Sequence, residues 1–379
     1  MNILFVTHHY LTGYGGGTYA SKAFINAFSD LSSHLTLLFP VKSIEEVPKD
    51  INSKAVLIPV TYHKPKWAKL FDLLCGSVHR FDMVFRSTIK SGCYDVVVFD
   101  TSIVSWKLID VAHQNNSKVI TIHHNFQYEY FRDNASSILK IPILFWCKKY
   151  EKEAVLKSDM NLTLTYPDKI LLSEHYDKEQ KSIMEVIGMF QYKETSFPTT
   201  RIRETRNVFC ITGSLSDAQT AQSIIYWLKN YYPILQEVVP ESELIISGKK
   251  PGEMLIEFCR EYGIHLIASP PDMNEVISKA QYYICPVFLG GGIKLRIMDG
   301  LKCGLKVLTH KVSARGYEAF KDICLFEYDD ENTFRQSLID MIEKPIGNNE
   351  IMSMYQRYFG YESGKERIRK VLEVYFAFR

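Results

Sequence analysis

Short apolar runs alternate with helical stretches along almost the whole chain, and this alternation limits the fold more than any other feature. Runs of this kind predict strands buried on both faces, because helices cover both sides of a parallel sheet. In the first half we predict strands at residues 3–7, 36–39, 55–60, 96–99, 118–122 and 160–165, and helices at 18–30, 66–91, 104–114 and 139–157.

The second half repeats the same alternation after an irregular stretch at 188–206. Its predicted strands are 208–213, 244–247, 265–268, 282–287, 306–309 and 323–326, and its predicted helices are 217–229, 254–262, 333–343, 350–359 and 364–378. The sequence therefore predicts an α/β protein of two Rossmann-like domains. We assign residues 1–187 to the first domain and residues 188–359 to the second.

Composition excludes several classes of protein. The 379 residues carry a net charge of +2, which argues against nucleic-acid binding. Eight cysteines show no zinc-binding spacing, so we expect no metal and a reducing, cytoplasmic location. The N-terminal strand has no features of a signal peptide, and no apolar run reaches the roughly 18 residues that span a bilayer.

One segment of the second half carries the strongest functional signal. Three glycines follow the apolar run 282–287, and two cations and a carboxylate come within the next seven residues: Gly290, Gly291, Gly292, Lys294, Arg296 and Asp299. Glycines let the backbone approach a ligand, and amides at the start of a helix favour an anion such as a diphosphate. Lys294 and Arg296 add charge-assisted hydrogen bonds, and Asp299 can accept from sugar hydroxyls.

This segment resembles the donor-binding signature of GT-B glycosyltransferases, particularly family 4. In that family an acid, here Asp299, precedes a small residue and a further glycine, here Gly300 and Gly304. The family usually has Glu where this chain has Asp299, and many members have another Glu where it has Gly291. The resemblance implies two domains facing a cleft, a last helix, 360–379, that crosses back to the first domain, and a nucleotide-sugar donor. It also implies retained anomeric configuration and no cofactor or metal.

Two further donor contacts are expected from the resemblance. Family members usually carry an Arg/Lys pair after the first strand of the second domain, but residues 213–219 contain neither cation. We assign Ser214 in this loop and Lys249, after the next strand, to donor binding in its place.

Two segments of the first half resemble further family motifs. A glycine loop follows the first strand, at Gly15, Gly16 and Gly17, and is expected to approach the acceptor and the donor phosphate. His124 ends a predicted strand and is expected to contact the transferred sugar. His123 is the second choice, because side chains alternate along a strand and the two would point apart. A flexible turn and a structural histidine are the plainer interpretations.

Residues 63–90 mix lysines and arginines with aromatic side chains. Such a stretch is typical of a basic amphipathic helix on an anionic membrane, and equally of a helix with one face in the core. A lipid-linked or polysaccharide acceptor would bind this domain, at the inner face of a membrane.

The resemblance thus implies a glycosyltransferase, acting by analogy with many relatives in bacterial surface-polysaccharide biosynthesis. A sugar-nucleotide epimerase on the same scaffold and a non-catalytic partner subunit remain open alternatives. The nucleotide base, the sugar, the acceptor and the oligomeric state are not assigned.

Overall fold

The computed structural model describes residues 1–13, 15–46, 48–61, 67, 71, 81–134, 140–194 and 207–376. It forms two compact units. The first comprises Met1–Glu194 and Phe359–Arg379, and the second comprises Thr195–Tyr358. Most of the predicted linker, residues 195–206, lies outside the described residues.

The first unit is built on a parallel sheet of seven strands in the order β3-β2-β1-β4-β5-β6-β7. The central strands β1 and β4 are apolar along their length and buried from both sides. The strands are β1 Asn2–Thr7, β2 His34–Val41, β3 Val56–Thr61, β4 Val96–Asp100, β5 Lys118–His123, β6 Met160–Thr163 and β7 Met184–Val186.

Helices cover both faces of this sheet, as the apolar strands require. The predicted helix 104–114 is divided in two, because Lys107 adopts a left-handed backbone conformation. Of the predicted helix 66–91, only the last part and two isolated residues lie within the described residues. The helices are α1 Gly16–Leu31, α2 Asp82–Ser91, α3 Ser102–Ser105, α4 Leu108–Gln114, α5 Gln127–Asn134, α6 Lys140–Lys157 and α7 Tyr166–Tyr176.

Two buried carboxylates fix the loop that follows β5. Glu151 of α6 accepts hydrogen bonds from the backbone amides of Gln127, at 2.6 Å, and Tyr128, at 3.0 Å. Asp168 of α7 accepts from the amide of Phe126 at 3.0 Å. The carboxylates satisfy amides at the start of α5 that would otherwise be buried without partners.

The C-terminal helix belongs to the first unit, as predicted. This helix, α15 (Tyr361–Phe376), packs against α1. The hydroxyl of Tyr361 donates to Asp30 at 2.7 Å, and the Nε of Arg367 donates to the carbonyl of Ile187 at 2.6 Å. Gly364 lies directly against the buried ring of Phe190. The chain therefore returns to its first unit after completing the second.

The second unit has a parallel sheet of six strands in the order β10-β9-β8-β11-β12-β13. Trp227 and neighbouring apolar side chains fill the space between this sheet and its helices. The strands are β8 Val208–Gly213, β9 Glu243–Gly248, β10 His265–Ala268, β11 Tyr282–Cys285, β12 Lys306–His310 and β13 Leu325–Tyr328.

The helices of this unit are α8 Ala218–Asn230, α9 Tyr232–Val238, α10 Glu253–Glu261, α11 Met273–Ile277, α12 Arg296–Lys302, α13 Glu331–Glu343 and α14 Asn348–Phe359. The sequence analysis does not predict the short helices α9 and α11.

The predicted fold class, two Rossmann-like α/β domains with a returning C-terminal helix, is confirmed. In the described part of the chain, every helix is too short or too polar to cross a bilayer.

Replacing Gly364 by alanine should destabilise the protein. In an ordinary helix this change is stabilising by about 0.5–1 kcal/mol. Here a Cβ atom would lie 2.0 Å from the ring of Phe190, and overpacking of this kind costs about 1–3 kcal/mol. We expect a lower midpoint in urea denaturation and faster proteolysis of the C-terminal helix. Lys370→Ala, on the exposed face of the same helix, is the control. An unchanged midpoint in Gly364→Ala would contradict the tight packing.

The carboxyl of Glu151 should make stability depend on pH. Burial raises its pKa from 4.5 to about 8, despite the hydrogen bonds that it accepts. The native state then holds this proton more tightly than the unfolded state, so its contribution to stability declines as pH rises from about 4.5 towards 8. Glu151→Gln keeps one of the two accepting oxygens and cannot ionise. The lost acceptor costs stability at every pH, while the variant should remove on the order of 1–3 kcal/mol of the decline with pH.

The measurement is urea denaturation at several pH values across that range. Glu174→Gln, at an exposed position of α7, provides the matched control. If Glu151→Gln and the wild type lose stability in parallel as pH rises, Glu151 is not the titrating group.

Candidate functional site

Each sheet has a position where the order of strands reverses, between β1 and β4 in the first unit and between β8 and β11 in the second. Ligands of open α/β sheets bind beyond the carboxyl ends of the strands at such positions. In each unit we call the carboxyl ends of the strands around this position the edge of the sheet. Most of the candidate residues lie at or close to these two edges.

The glycine turn of the second unit adopts a conformation that needs glycine. Gly290 and Gly292 have φ angles of +81° and +72°, in the left-handed region. The ammonium of Lys294 donates to the carbonyls of Gly290 and Gly291, each at 3.1 Å. The buried Tyr317 donates from its hydroxyl to the carbonyl of Lys294 at 2.8 Å. Lys294 therefore closes the turn, and the hydroxyl of Tyr317 holds the backbone of Lys294 in place.

The helix after this turn does not start at the glycines. Its first residue is Arg296, so residues 293–295 separate it from them. The glycine amides therefore do not form the helix start, and side chains provide the positive charge close to the turn.

Arg296 lies across the carboxyl end of β8. Its Nη2 donates to the hydroxyl of Thr220, in the first turn of α8, at 3.1 Å, and its Nη1 to the carbonyl of Thr212 at 3.5 Å. A Cβ atom on Gly213 would lie 2.7 Å from Nη1. The loop after β8 has no cation of its own, and the structure brings one to it from α12. The sequence analysis missed this contact.

Asp299, one turn further along α12, is exposed. Protein atoms near its carboxyl displace water and raise its pKa to about 6, against the opposing charges of Lys302 and Arg296. Its side chain makes no hydrogen bond to the described residues. At neutral pH it is an ionised acceptor facing solvent.

Ser214 and Lys249 follow the adjacent strands β8 and β9, and both are exposed. The hydroxyl of Ser214 lies 3.3 Å from that of Ser216. The two strand ends approach so closely that a Cβ atom on Gly248 would lie 1.9 Å from the carbonyl oxygen of Gly213. Both candidates thus belong to the same edge of the sheet as Arg296.

A fully buried carboxylate, Asp100, organises the edge of the first unit. It ends β4 and accepts hydrogen bonds from the hydroxyls of Thr7, at 2.6 Å, and Ser21. Its other oxygen lies 2.6 Å from the Nε2 of His124. Burial alone would raise the pKa of Asp100, but His124 and the Ser21 hydroxyl hold that pKa well below its usual range. The sequence analysis missed Asp100, although an acid that ends an apolar run such as 96–99 is a recognisable signal.

The two candidate histidines point in different directions, as alternation along a strand predicts. His124 turns its Nε2 towards Asp100, and its ring stacks at 5.4 Å on that of His9. Its Nδ1 makes no hydrogen bond to any described residue. His123 lies in the interior with its Nε2 at 2.9 Å from Asn161, and burial lowers its pKa to about 4. Only His124 lies at the polar edge.

The glycine loop of the first unit meets the same edge. Helix α1 begins at Gly16, and its N-cap residue, Gly15, has no side chain that could cap the first amides. A Cβ atom on Gly17 would lie 2.3 Å from the ring of His9, so the approach of this ring requires glycine there. Gly15 and Gly16 are exposed. The loop, His9 and His124 are thus brought together around the start of α1.

The basic and aromatic stretch 63–90 falls largely outside the described residues. Trp67 and Phe71 are described, and they are 75% and 63% exposed. Across the described ranges, no three His, Cys, Asp or Glu side chains form a group suited to a metal ion.

Comparison with known proteins places this geometry in context. Residues 206–344 match the family model of the glycosyl transferases group 1. The match includes the glycine turn, Arg296, Asp299 and the ends of β8 and β9. An uncharacterized 44.6 kDa protein in the cps region of Klebsiella pneumoniae is 22% identical over 276 residues, which cover 68% of each chain.

Solved structures share the fold over the whole chain. Sucrose-phosphate synthase from Thermosynechococcus elongatus aligns with a TM-score of 0.71 and 12% identity, covering 99% of both chains. HepE of Anabaena, in complex with UDP, aligns with a TM-score of 0.66 and 12% identity, covering 98% of this chain and 100% of that one. Residues 206–344 therefore resemble the glycosyl transferases group 1, and the whole chain shares the fold of these solved structures.

Proposed function

We propose that the protein transfers a sugar from a nucleoside diphosphate donor to a hydroxyl of a glycan or lipid-linked acceptor in surface-polysaccharide biosynthesis. The observation that carries this proposal is the cluster at the carboxyl end of β8. There the glycine turn, Lys294 and Arg296 lie within the part of the chain that the family model matches. The relative in a cps region supports the choice of pathway.

The donor diphosphate binds beside Lys294 and Arg296. Departure of a nucleoside diphosphate leaves negative charge on its phosphate oxygens, and fixed cations stabilise that charge without reorganising. Arg296 presents a planar fork whose position is set by Thr212 and Thr220. Lys294 already donates to carbonyl oxygens of the turn, so an anion would replace those acceptors. Two fixed cations support a transfer that proceeds without a metal.

Asp299 accepts from the ribose hydroxyls, and Ser214 and Lys249 contact the remaining phosphate oxygens. Asp299 suits this role because its carboxylate is exposed beside Arg296 and is ionised above a pH of about 6. Binding of the ribose should therefore weaken as pH falls through that value.

His124 contacts the transferred sugar, beside the glycine loop of Gly15, Gly16 and Gly17. With its Nε2 bonded to Asp100, the imidazole presents Nδ1 for a hydrogen bond to a sugar hydroxyl. Asp100 is already bonded to Thr7, Ser21 and His124, so it positions the histidine and is not a free nucleophile. We include retention of anomeric configuration in the proposal on the strength of the family resemblance.

The reaction is tested with a panel of UDP-, GDP- and other nucleotide sugars, with and without glycan acceptors. Release of nucleoside diphosphate that depends on an acceptor, with the linkage defined by NMR, would support the transferase. Interconversion of free donors without an acceptor would indicate an epimerase. Absence of reaction with every donor would indicate a non-catalytic subunit. Either result would overturn the proposal.

Removing the cationic side chain of Lys294 or Arg296 should weaken the binding of the diphosphate group and leave the binding of the nucleoside unchanged. We expect Arg296→Ala and Lys294→Ala each to raise the dissociation constant of the nucleoside diphosphate by about 10- to 100-fold. Affinity for the corresponding nucleoside should change little, since it carries no phosphate. Isothermal titration calorimetry measures both affinities.

Lys279→Ala removes an exposed cation of the same unit outside this edge and is the matched control. Arg296→Lys keeps the charge but cannot span Thr212 and Thr220, so it should bind with intermediate affinity. Equal affinities of the alanine variants and the control for the diphosphate would place the donor elsewhere.

Asp100→Asn should lower kcat by at least about tenfold, because the amide no longer fixes the imidazole tautomer. His124→Ala should have a similar effect, and the double variant should be no worse than the more severe single change. Steady-state kinetics with the best donor of the panel tests this, and thermal melting shows whether each variant folds.

The control is His113→Gln, which breaks a second His–Asp pair of the same unit, His113 to Asp159 at 2.9 Å, away from this edge. It should leave kcat unchanged. If the effects of Asp100→Asn and His124→Ala instead multiply, the two side chains act independently.

A further inference from the structure

The first half of helix α6 is apolar and remains uncovered in the described structure. Residues 141–146 read Ile-Pro-Ile-Leu-Phe-Trp, and each is at least partly exposed. Ile141 and Phe145 are 79% and 54% exposed. A contiguous surface of this kind on a soluble unit marks an interaction site.

The most exposed residues of this segment share one face of the helix. Ile141 and Phe145 lie four residues apart on that face, while the four other residues of 141–146 are partly covered. The second half of the helix is different, since it packs Tyr150, Glu151 and Ala154 into the unit.

Lysines and aromatic rings surround the apolar segment. The ammonium of Lys149 lies 4.9 Å from the ring centre of Phe145 and 5.0 Å from that of Trp146. Trp106 packs at 5.9 Å against Trp146, and the ammonium of Lys107 lies 5.5 Å from the ring of Trp106. Cations beside exposed tryptophan and phenylalanine rings are suited to the boundary between lipid tails and headgroups, where amphipathic rings and basic side chains collect.

The charge of this segment has one sign. Residues 140–150 include Lys140, Lys148 and Lys149 and no acidic residue. The next residue, Glu151, is fully buried against the loop after β5 and does not offset these charges at the surface. An exposed apolar segment bordered by cations is complementary to a surface with apolar depth and anionic headgroups.

We propose that the first half of α6 is an interfacial anchor that inserts its apolar residues among the headgroups of an anionic membrane. The anchor lies on the first unit and on residues distinct from the donor cluster. It goes beyond the proposed sugar transfer and would stand if that proposal failed. It would hold the enzyme at the surface where a lipid-linked acceptor resides.

Flotation of the full-length protein with vesicles tests the anchor. Vesicles of phosphatidylcholine alone are compared with vesicles that also contain phosphatidylglycerol, at low and high salt. We expect binding to the anionic vesicles and a clear loss of binding in high salt. Ile141→Ser/Phe145→Ser and Lys148→Glu/Lys149→Glu should each reduce partitioning at least about tenfold.

Two matched controls show whether the loss of vesicle binding depends on where the residues are changed or only on the kind of change. Leu156→Ser changes an exposed apolar residue in the second half of the same helix, and Lys178→Glu/Lys181→Glu makes the same charge change at another exposed site of the unit. Both should bind vesicles like the wild type. Thermal melting and nucleoside diphosphate binding show that each variant is folded, independently of turnover.

Several results would overturn the anchor. One is absence of binding to anionic vesicles, and another is equal loss of binding in the controls. A third is self-association of the wild type that both α6 variants abolish while vesicle binding persists, which would identify a second copy of the chain as the occupant.

Discussion

One guanidinium joins three separate segments of the second unit. Arg296 comes from α12, bonds to the end of β8 and to the first turn of α8, and rests on Gly213, where any side chain would displace it. The contact fixes a positive charge at the edge of the sheet where the strand order reverses. The glycine turn and Asp299 belong to the same segment of chain, so their placement depends on this contact.

The first unit has a fixed negative charge at the equivalent position, where the order of its own strands reverses. Asp100 is an anion enclosed by two hydroxyls and an imidazole, and all of its partners come from other elements. A buried charge is stable only when its partners are complete, which makes this cluster rigid. Rigidity suits the histidine, because its open nitrogen is directed without the entropy cost of ordering it on binding. The two units thus carry fixed charges of opposite sign at equivalent positions.

The sequence predicts most strands to within two residues, because buried parallel strands are short apolar runs with polar ends. It does not predict α5 or α7, whose polar and apolar residues lack a clear helical period, nor the break at Lys107, which a single left-handed residue causes. The glycine turn and its charges are predictable because they are contiguous. The contact of Arg296 with Gly213 and the bond of Asp100 to His124 depend on strand order, which local patterns do not specify.

The position of α15 has a consequence for how the chain folds while it is being translated. Its residues leave the ribosome after those of the second unit, yet they cover α1 and Phe190 of the first unit, whose other residues precede the second. This apolar surface of the first unit therefore stays uncovered until α15 has been made. The second unit is contiguous in sequence and can complete its fold earlier.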